Sequence, residues 1–132
     1  YSDSARVGEI QEINLIENRL RGTFPSVVFE IPYLETLNIE DNADITIDLS
    51  GLSKAQYLKE LDLSNTYVTS LDGIEAASNL EVLHLTGLQL KGSLPSGLFN
   101  LPNLRLLYAN DNMFSGTLPS AIGKLTELRE LY

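Results

Sequence analysis

The 132-residue sequence contains no cysteine. That excludes a disulfide framework and a thiolate metal centre, and it leans toward a reducing compartment, although a core built from repeats can dispense with disulfides anywhere. Bases are scarce: 9 Lys and Arg stand against 18 Asp and Glu. Nucleic acid and anionic lipid are therefore not expected partners, because phosphate binding concentrates positive charge. No Asn-x-Ser/Thr glycosylation acceptor occurs. No apolar run approaches the ~18–20 residues of a membrane span, so direct membrane insertion by this segment is not expected. A basic-then-apolar leader is also missing. The chain opens at Tyr1 and stops at Tyr132 partway through a repeating unit, and it reads as a piece of a longer protein. The acidity is uneven: residues 1–66 hold 12 acids and 5 bases, residues 67–132 hold 6 and 4.

What the chain does have is a period. An apolar opener recurs at Ile10, Leu34, Leu58, Leu80, Leu104 and Leu128, at spacings of 24, 24, 22, 24 and 24. Three and five residues after each opener come further apolar positions, from Ile13 and Leu15 through Leu107 and Ala109; the sixth copy supplies only Leu131. Alternation over so short a window predicts a strand with one buried face. Each copy holds only one such strand, which must pair in parallel with its neighbours. Eight residues after the opener stand Asn18, Asn42, Thr66, Leu88 and Asn112. A buried amide there can both donate to and accept from backbone groups left free at the turn, which predicts a structural ladder of Asn18, Asn42, Thr66 and Asn112, broken at Leu88. Copies one, four and five continue with LRGTFP, LKGSLP and FSGTLP, where glycine is expected to relieve a crowded backbone and proline to stop regular structure. Apolar pairs six and three residues before the next opener (Val28 and Ile31, Leu98 and Leu101) suit 3₁₀ turns.

These residues carry a family resemblance. The pattern L-x-x-L-x-L-x-x-N-x-L over residues 7–132 resembles leucine-rich repeat proteins. The L-x-G-x-x-P copies resemble the plant-type subclass of receptor-like proteins and kinases, and the 22-residue third copy resembles a shorter intracellular subclass. Copy two departs from the plant type, with Asp44–Ile47 where Leu-x-Gly belongs. The resemblance implies an α/β solenoid: curved, with one short parallel strand per repeat on the concave face and 3₁₀ turns on the convex face. The whole of 1–132 is expected to be one such domain of about five repeats. It also implies a non-catalytic module binding a protein or peptide on its concave sheet, within a receptor-like or cell-surface parent. The alternatives are an intracellular scaffold or regulatory subunit, or the sensor segment of a parent carrying a kinase domain. No cofactor is expected, and an extracellular or cell-surface site stands beside a cytoplasmic one.

Strand positions between the buried pairs must point outward. They form three columns: Glu12, Thr36, Glu60, Val82, Leu106 and Glu130; Asn14, Asn38, Asp62, His84, Tyr108 and Tyr132; and Ile16, Glu40, Ser64, Thr86 and Asn110. Glu12, Glu17, Glu35, Glu40 and Asp41 give an acidic early end with no base among them. The candidate partner-binding residues are Asp62, Val82, His84, Arg105, Leu106, Tyr108, Asn110 and Tyr132, since Tyr and Arg are frequent interface anchors. His84, the single histidine, falls beside Asp62 and near Ser64. Such a trio is nucleophilic machinery only with an oxyanion hole and a dry pocket, so a solvent-exposed His–Asp pair is the plainer expectation, with pH-sensitive binding as its consequence. Glu40, Asp41, Asn42 and Asp44 resemble a calcium loop only loosely, lacking its glycine and closing glutamate. The open ends of a cut solenoid predict self-association.

Overall fold

A strand with one apolar face and no mate within its own repeat has to find one in the next, and this pairing builds the molecule. The structure, a computed structural model, describes residues 9–132; the first eight residues of the expected domain lie outside it. In chain order the strands are β1 (Glu12–Asn14), β2 (Arg21–Phe24), β3 (Thr36–Asn38), β4 (Asp44–Ile47), β5 (Glu60–Asp62), β6 (Val82–His84), β7 (Lys91–Gly92), β8 (Leu106–Tyr108), β9 (Met113–Phe114) and β10 (Glu130–Leu131). Six form one parallel sheet in the order β1-β3-β5-β6-β8-β10. Its register aligns Glu12, Thr36, Glu60, Val82, Leu106 and Glu130, and likewise Asn14, Asn38, Asp62, His84 and Tyr108. The period-derived columns are therefore real rows of neighbours.

Behind the sheet, each coil contributes a layer of leucines. Leu34, Leu58, Leu80 and Leu104 are buried, as are Leu37, Leu61, Leu83 and Leu107 on the strands. The opposite wall is a stack of 3₁₀ turns at Ser26–Glu30, Leu49–Lys54, Ile74–Ala76, Ser96–Asn100 and Ser120–Lys124. The spacing of three has a direct cause: Ile31, Ala55, Ala77, Leu101 and Leu125 each donate a backbone N–H to the carbonyl three residues earlier, at 3.0–3.4 Å. Phe29 and Phe99 are also buried. They sit in the 3₁₀ turns of coils one and four, a position that apolar spacing alone does not mark.

Two further parallel pairs, β2·β4 and β7·β9, flank the main sheet. They are absent from the sequence reading, which took Asp44–Ile47 as a departure. That segment instead pairs in register with Arg21–Phe24, with Arg21 opposite Asp44 and Phe24 opposite Ile47. The offset there is 23 residues rather than 24, and a longer 3₁₀ turn in coil two restores the phase. The expected role of glycine in L-x-G also needs correction. A Cβ at Gly22, Gly92 or Gly116 would meet nothing within 4 Å, whereas their φ values are +85°, +79° and +89°. Glycine is there for a left-handed backbone, not for space.

The turn ladder is a set of amides fastened to backbone. Asn42 is fully buried; its Nδ2 donates to the carbonyls of Leu15, Ile39 and Glu40, and its Oδ1 accepts from the N–H groups of Asn18 and Leu20, all at 2.9–3.1 Å. Asn112 repeats this with Leu85, Ala109 and Asn110 as acceptors and Leu90 N–H as donor. Thr66 reaches only the Leu63 carbonyl of its own coil, Asn18 only that of Ile16, and Leu88 is buried as an apolar plug. Just before this position every coil holds a left-handed residue: Glu17, Asp41, Asn65, Gly87 and Asp111, with φ of 54–70°. Asn, Asp and Gly tolerate that conformation best, so the column was a readable turn signal that apolar spacing passed over.

Candidate functional site

The concave face changes character along its length. In coils one to three the central outward residue is Asn14, Asn38 or Asp62, and each side chain folds back onto its own turn. The N–H groups of Ile16, Glu40 and Ser64 donate to Asn14 Oδ1, Asn38 Oδ1 and Asp62 Oδ1 at 3.3, 2.9 and 2.9 Å. A short polar side chain two residues before a free N–H caps it readily. Asp62 is consequently only 6% exposed, which corrects the expectation of a solvent-exposed His–Asp pair.

His84 sits between two carboxylates without hydrogen-bonding either. Its Nδ1 lies 4.0 Å from Asp62 Oδ2 and its Nε2 3.8 Å from Glu60 Oε1; both separations exceed hydrogen-bond range. Ser64 meets Asp62 through its backbone N–H. The three residues therefore make no proton relay, whose geometry requires direct hydrogen bonds through the imidazole.

From His84 onward the same column is a stack of rings. The His84 and Tyr108 centroids are 4.6 Å apart and those of Tyr108 and Tyr132 4.9 Å, each pair within 3° of parallel. The strand spacing of about 4.8 Å imposes that separation. Tyr132 donates its hydroxyl to Glu130 Oε2 at 2.9 Å, and this bond pushes its phenol pKa up. Val82 and Leu106, half-buried and paired across β6 and β8, form an apolar strip beside the rings. On the other side Thr86 donates to Asn110 Oδ1 and the Asn110 amide to Asp111.

Arg105 is not a free anchor. The column one residue past the opener pairs charges between coils: Lys59 with Glu35 at 2.8 Å and Arg105 with Glu81 at 3.3 Å. Glu35, in an early edge with no base of its own, is thus paired with a base from the next coil. The unbalanced acids lie further in. Glu40 has its carboxyl pKa raised, chiefly by burial and then by Asp62 and Asp41, with His84 opposing. The loose calcium-loop candidate does not close: Asn42 is committed to backbone and Asp44 faces Arg21 at 3.5 Å. Among the described residues no cluster of three or more His, Asp or Glu could hold a metal ion.

Elsewhere, a groove of about 480 Å³ runs beside the short third coil, where no flanking strand bridges β4 and β7; Thr66, Tyr67, Leu90 and Lys91 line part of it. No helix of the described residues is long and apolar enough to cross a membrane.

A one-strand-per-coil parallel sheet backed by 3₁₀ turns and capped by asparagine defines a leucine-rich repeat solenoid. The sequence comparison agrees: residues 79–101 and 103–125 match the Leucine Rich Repeat family. Among solved structures the chain is similar to the ectodomain of the Arabidopsis receptor kinase HAESA in complex with an extended IDA peptide hormone (27% identity, TM-score 0.76, covering 90% of this chain and 21% of that one). It is similar also to a leucine-rich repeat protein of Leptospira interrogans (27%, TM-score 0.78, covering 92% and 30%). The plant peptide hormone receptor RGFR1, in complex with RGF2, shares the fold at 24% identity and TM-score 0.76, covering 89% of this chain and 19% of that one. The chain has the leucine-rich repeat fold and resembles plant receptor-kinase ectodomains, and it spans about a fifth of the length of the two receptor chains.

Proposed function

We propose that this segment binds an extended peptide or a protein loop on the concave face of coils four to six, as the ligand-binding part of a larger receptor-like protein. One observation carries the reading: Val82, Leu106, Tyr108 and Tyr132 stand together on a sheet face that no other element of the described residues covers, while Leu83 and Leu107 of the same strands are packed inward. Pre-stacked rings present a large, rigid contact area at little entropic cost, which suits an anchor. The peptide held by the HAESA ectodomain lends the reading further support. The catalytic alternative has no hydrogen-bonded relay to work with.

The test is selection of random linear peptides on the immobilised chain, followed by the same measurement on Leu106→Ser, Tyr108→Ala and the convex-face control Val27→Ser. Enriched peptides should lose about tenfold or more in affinity with either concave substitution, as hot-spot residues do, and keep it with Val27→Ser. Failure to enrich any peptide, or loss confined to the convex variant, overturns the proposal.

A further inference from the structure

The aromatic strip does not stand alone. Immediately toward coil two, the outward positions of the first three strands carry Glu12, Glu40, Glu60 and Asp62 and no Lys or Arg. Lys59 is engaged with Glu35 on the edge column, and His84 lies 3.8–4.0 Å from two of these acids. The crowding is felt within the cluster, since Asp62 and Asp41 both oppose ionisation of Glu40. A surface with a net negative surplus beside an apolar, ring-lined strip selects by charge as well as by shape. A second copy of this chain, itself at −9, is disfavoured there.

Resting on the peptide-binding reading above, we propose that the occupant is an extended segment crossing the strands. It carries a lysine or arginine over Glu60, with Glu40 one coil earlier adding to the negative field, and an aromatic or branched apolar side chain over Leu106 and Tyr108. The separation follows from the sheet: β5 to β8 is two strand spacings, about 10 Å, which an extended chain rising ~3.3 Å per residue covers in about three residues. The motif is a cation and an apolar anchor three positions apart. His84, lying between the two contacts and stacked on Tyr108, forms the floor under the intervening residues.

Four synthetic peptides in one Gly-Ser frame test this by calorimetry: lysine-x-x-phenylalanine, serine-x-x-phenylalanine, lysine-x-x-serine and glutamate-x-x-phenylalanine. The first should bind about threefold to tenfold tighter than the second, the range of an exposed but crowded ion pair, and the fourth most weakly of the phenylalanine set. The lysine preference should shrink with added salt. It should disappear in the Glu40→Gln/Glu60→Gln variant, read as the ratio of lysine-peptide to serine-peptide affinity measured on that same variant. Equal binding of the lysine and serine peptides, or a lysine preference that survives both glutamine substitutions, overturns the charge assignment. If the serine peptide still binds and loses affinity with Tyr108→Ala, the binding face itself stands; if none of the four binds and library selection also fails, both proposals fall.

Discussion

Coils one to three and coils four to six run the same backbone, yet they use the same strand position in opposite ways. Asn14, Asn38 and Asp62 turn their side chains down to cap the chain that bears them. His84, Tyr108 and Tyr132 lay theirs against one another instead. A column in a repeat protein is thus not one surface. Its early members serve the fold, and its later members form the face to which we assign the ligand.

The sharpest way to break this contrast is through the buried amides beneath it. Asn42→Ala removes five hydrogen bonds from a fully buried site and is expected to cost about 3 kcal/mol or more, because the stranded backbone groups lose their only solvation. Asn112→Ala, at a half-exposed site with four bonds, should cost about 2 kcal/mol. Urea denaturation at neutral pH measures both; equal losses would mean that the early half is not specially dependent on its polar side chains.

A smaller effect is expected one layer out. Asp62→Ala should lower stability by about 1 kcal/mol through the lost turn cap, while Asp62→Asn, which keeps the acceptor, should be nearly neutral. If Asn is as damaging as Ala, Asp62 acts through its charge, and the division between fold-serving and ligand-serving members fails at that residue.

The smallest effect is a gain. Because the folded state raises the Glu40 pKa, the proton is held more tightly in the native protein than in the unfolded chain. The associated stabilisation is present below the ordinary carboxylate range and is lost as pH rises through the raised value. Glu40→Gln should therefore lift the melting temperature slightly at pH 7 and give no gain near pH 3. A loss at pH 7 would show that the carboxylate is not in surplus.

Much of this was legible because a repeat states its own geometry. Openers at fixed spacing place the strands, the alternation assigns their faces, and apolar pairs three apart coincide with the 3₁₀ hydrogen bonds from Ile31 to Leu125. The stacked rings also follow from one column holding His84, Tyr108 and Tyr132. What was hidden depends on side-chain direction or on a broken period. Asp62 has the same composition signal whether it faces water or caps a turn. The Lys59–Glu35 and Arg105–Glu81 pairs emerge only when the column after the opener is written out as a series. β4 escaped notice because it pairs 23 residues away from its mate while everything around it repeats at 24.

The broken ladder has a mechanical consequence. Each buried asparagine belongs to one coil and holds the turn of the coil before it: Asn42 fastens coil two to coil one, and Asn112 fastens coil five to coil four. At the two joints between, Thr66 serves only its own coil and Leu88 offers no polar atom. The buried ladder is therefore in two parts, interrupted at a third coil that is held instead by the Tyr67 N–H on the Ile45 carbonyl and the Asn65 amide on Asp41 and that contributes no flanking strand. The change of fastening thus falls at the same coil, beside Asp62 and His84, where the character of the inner surface changes.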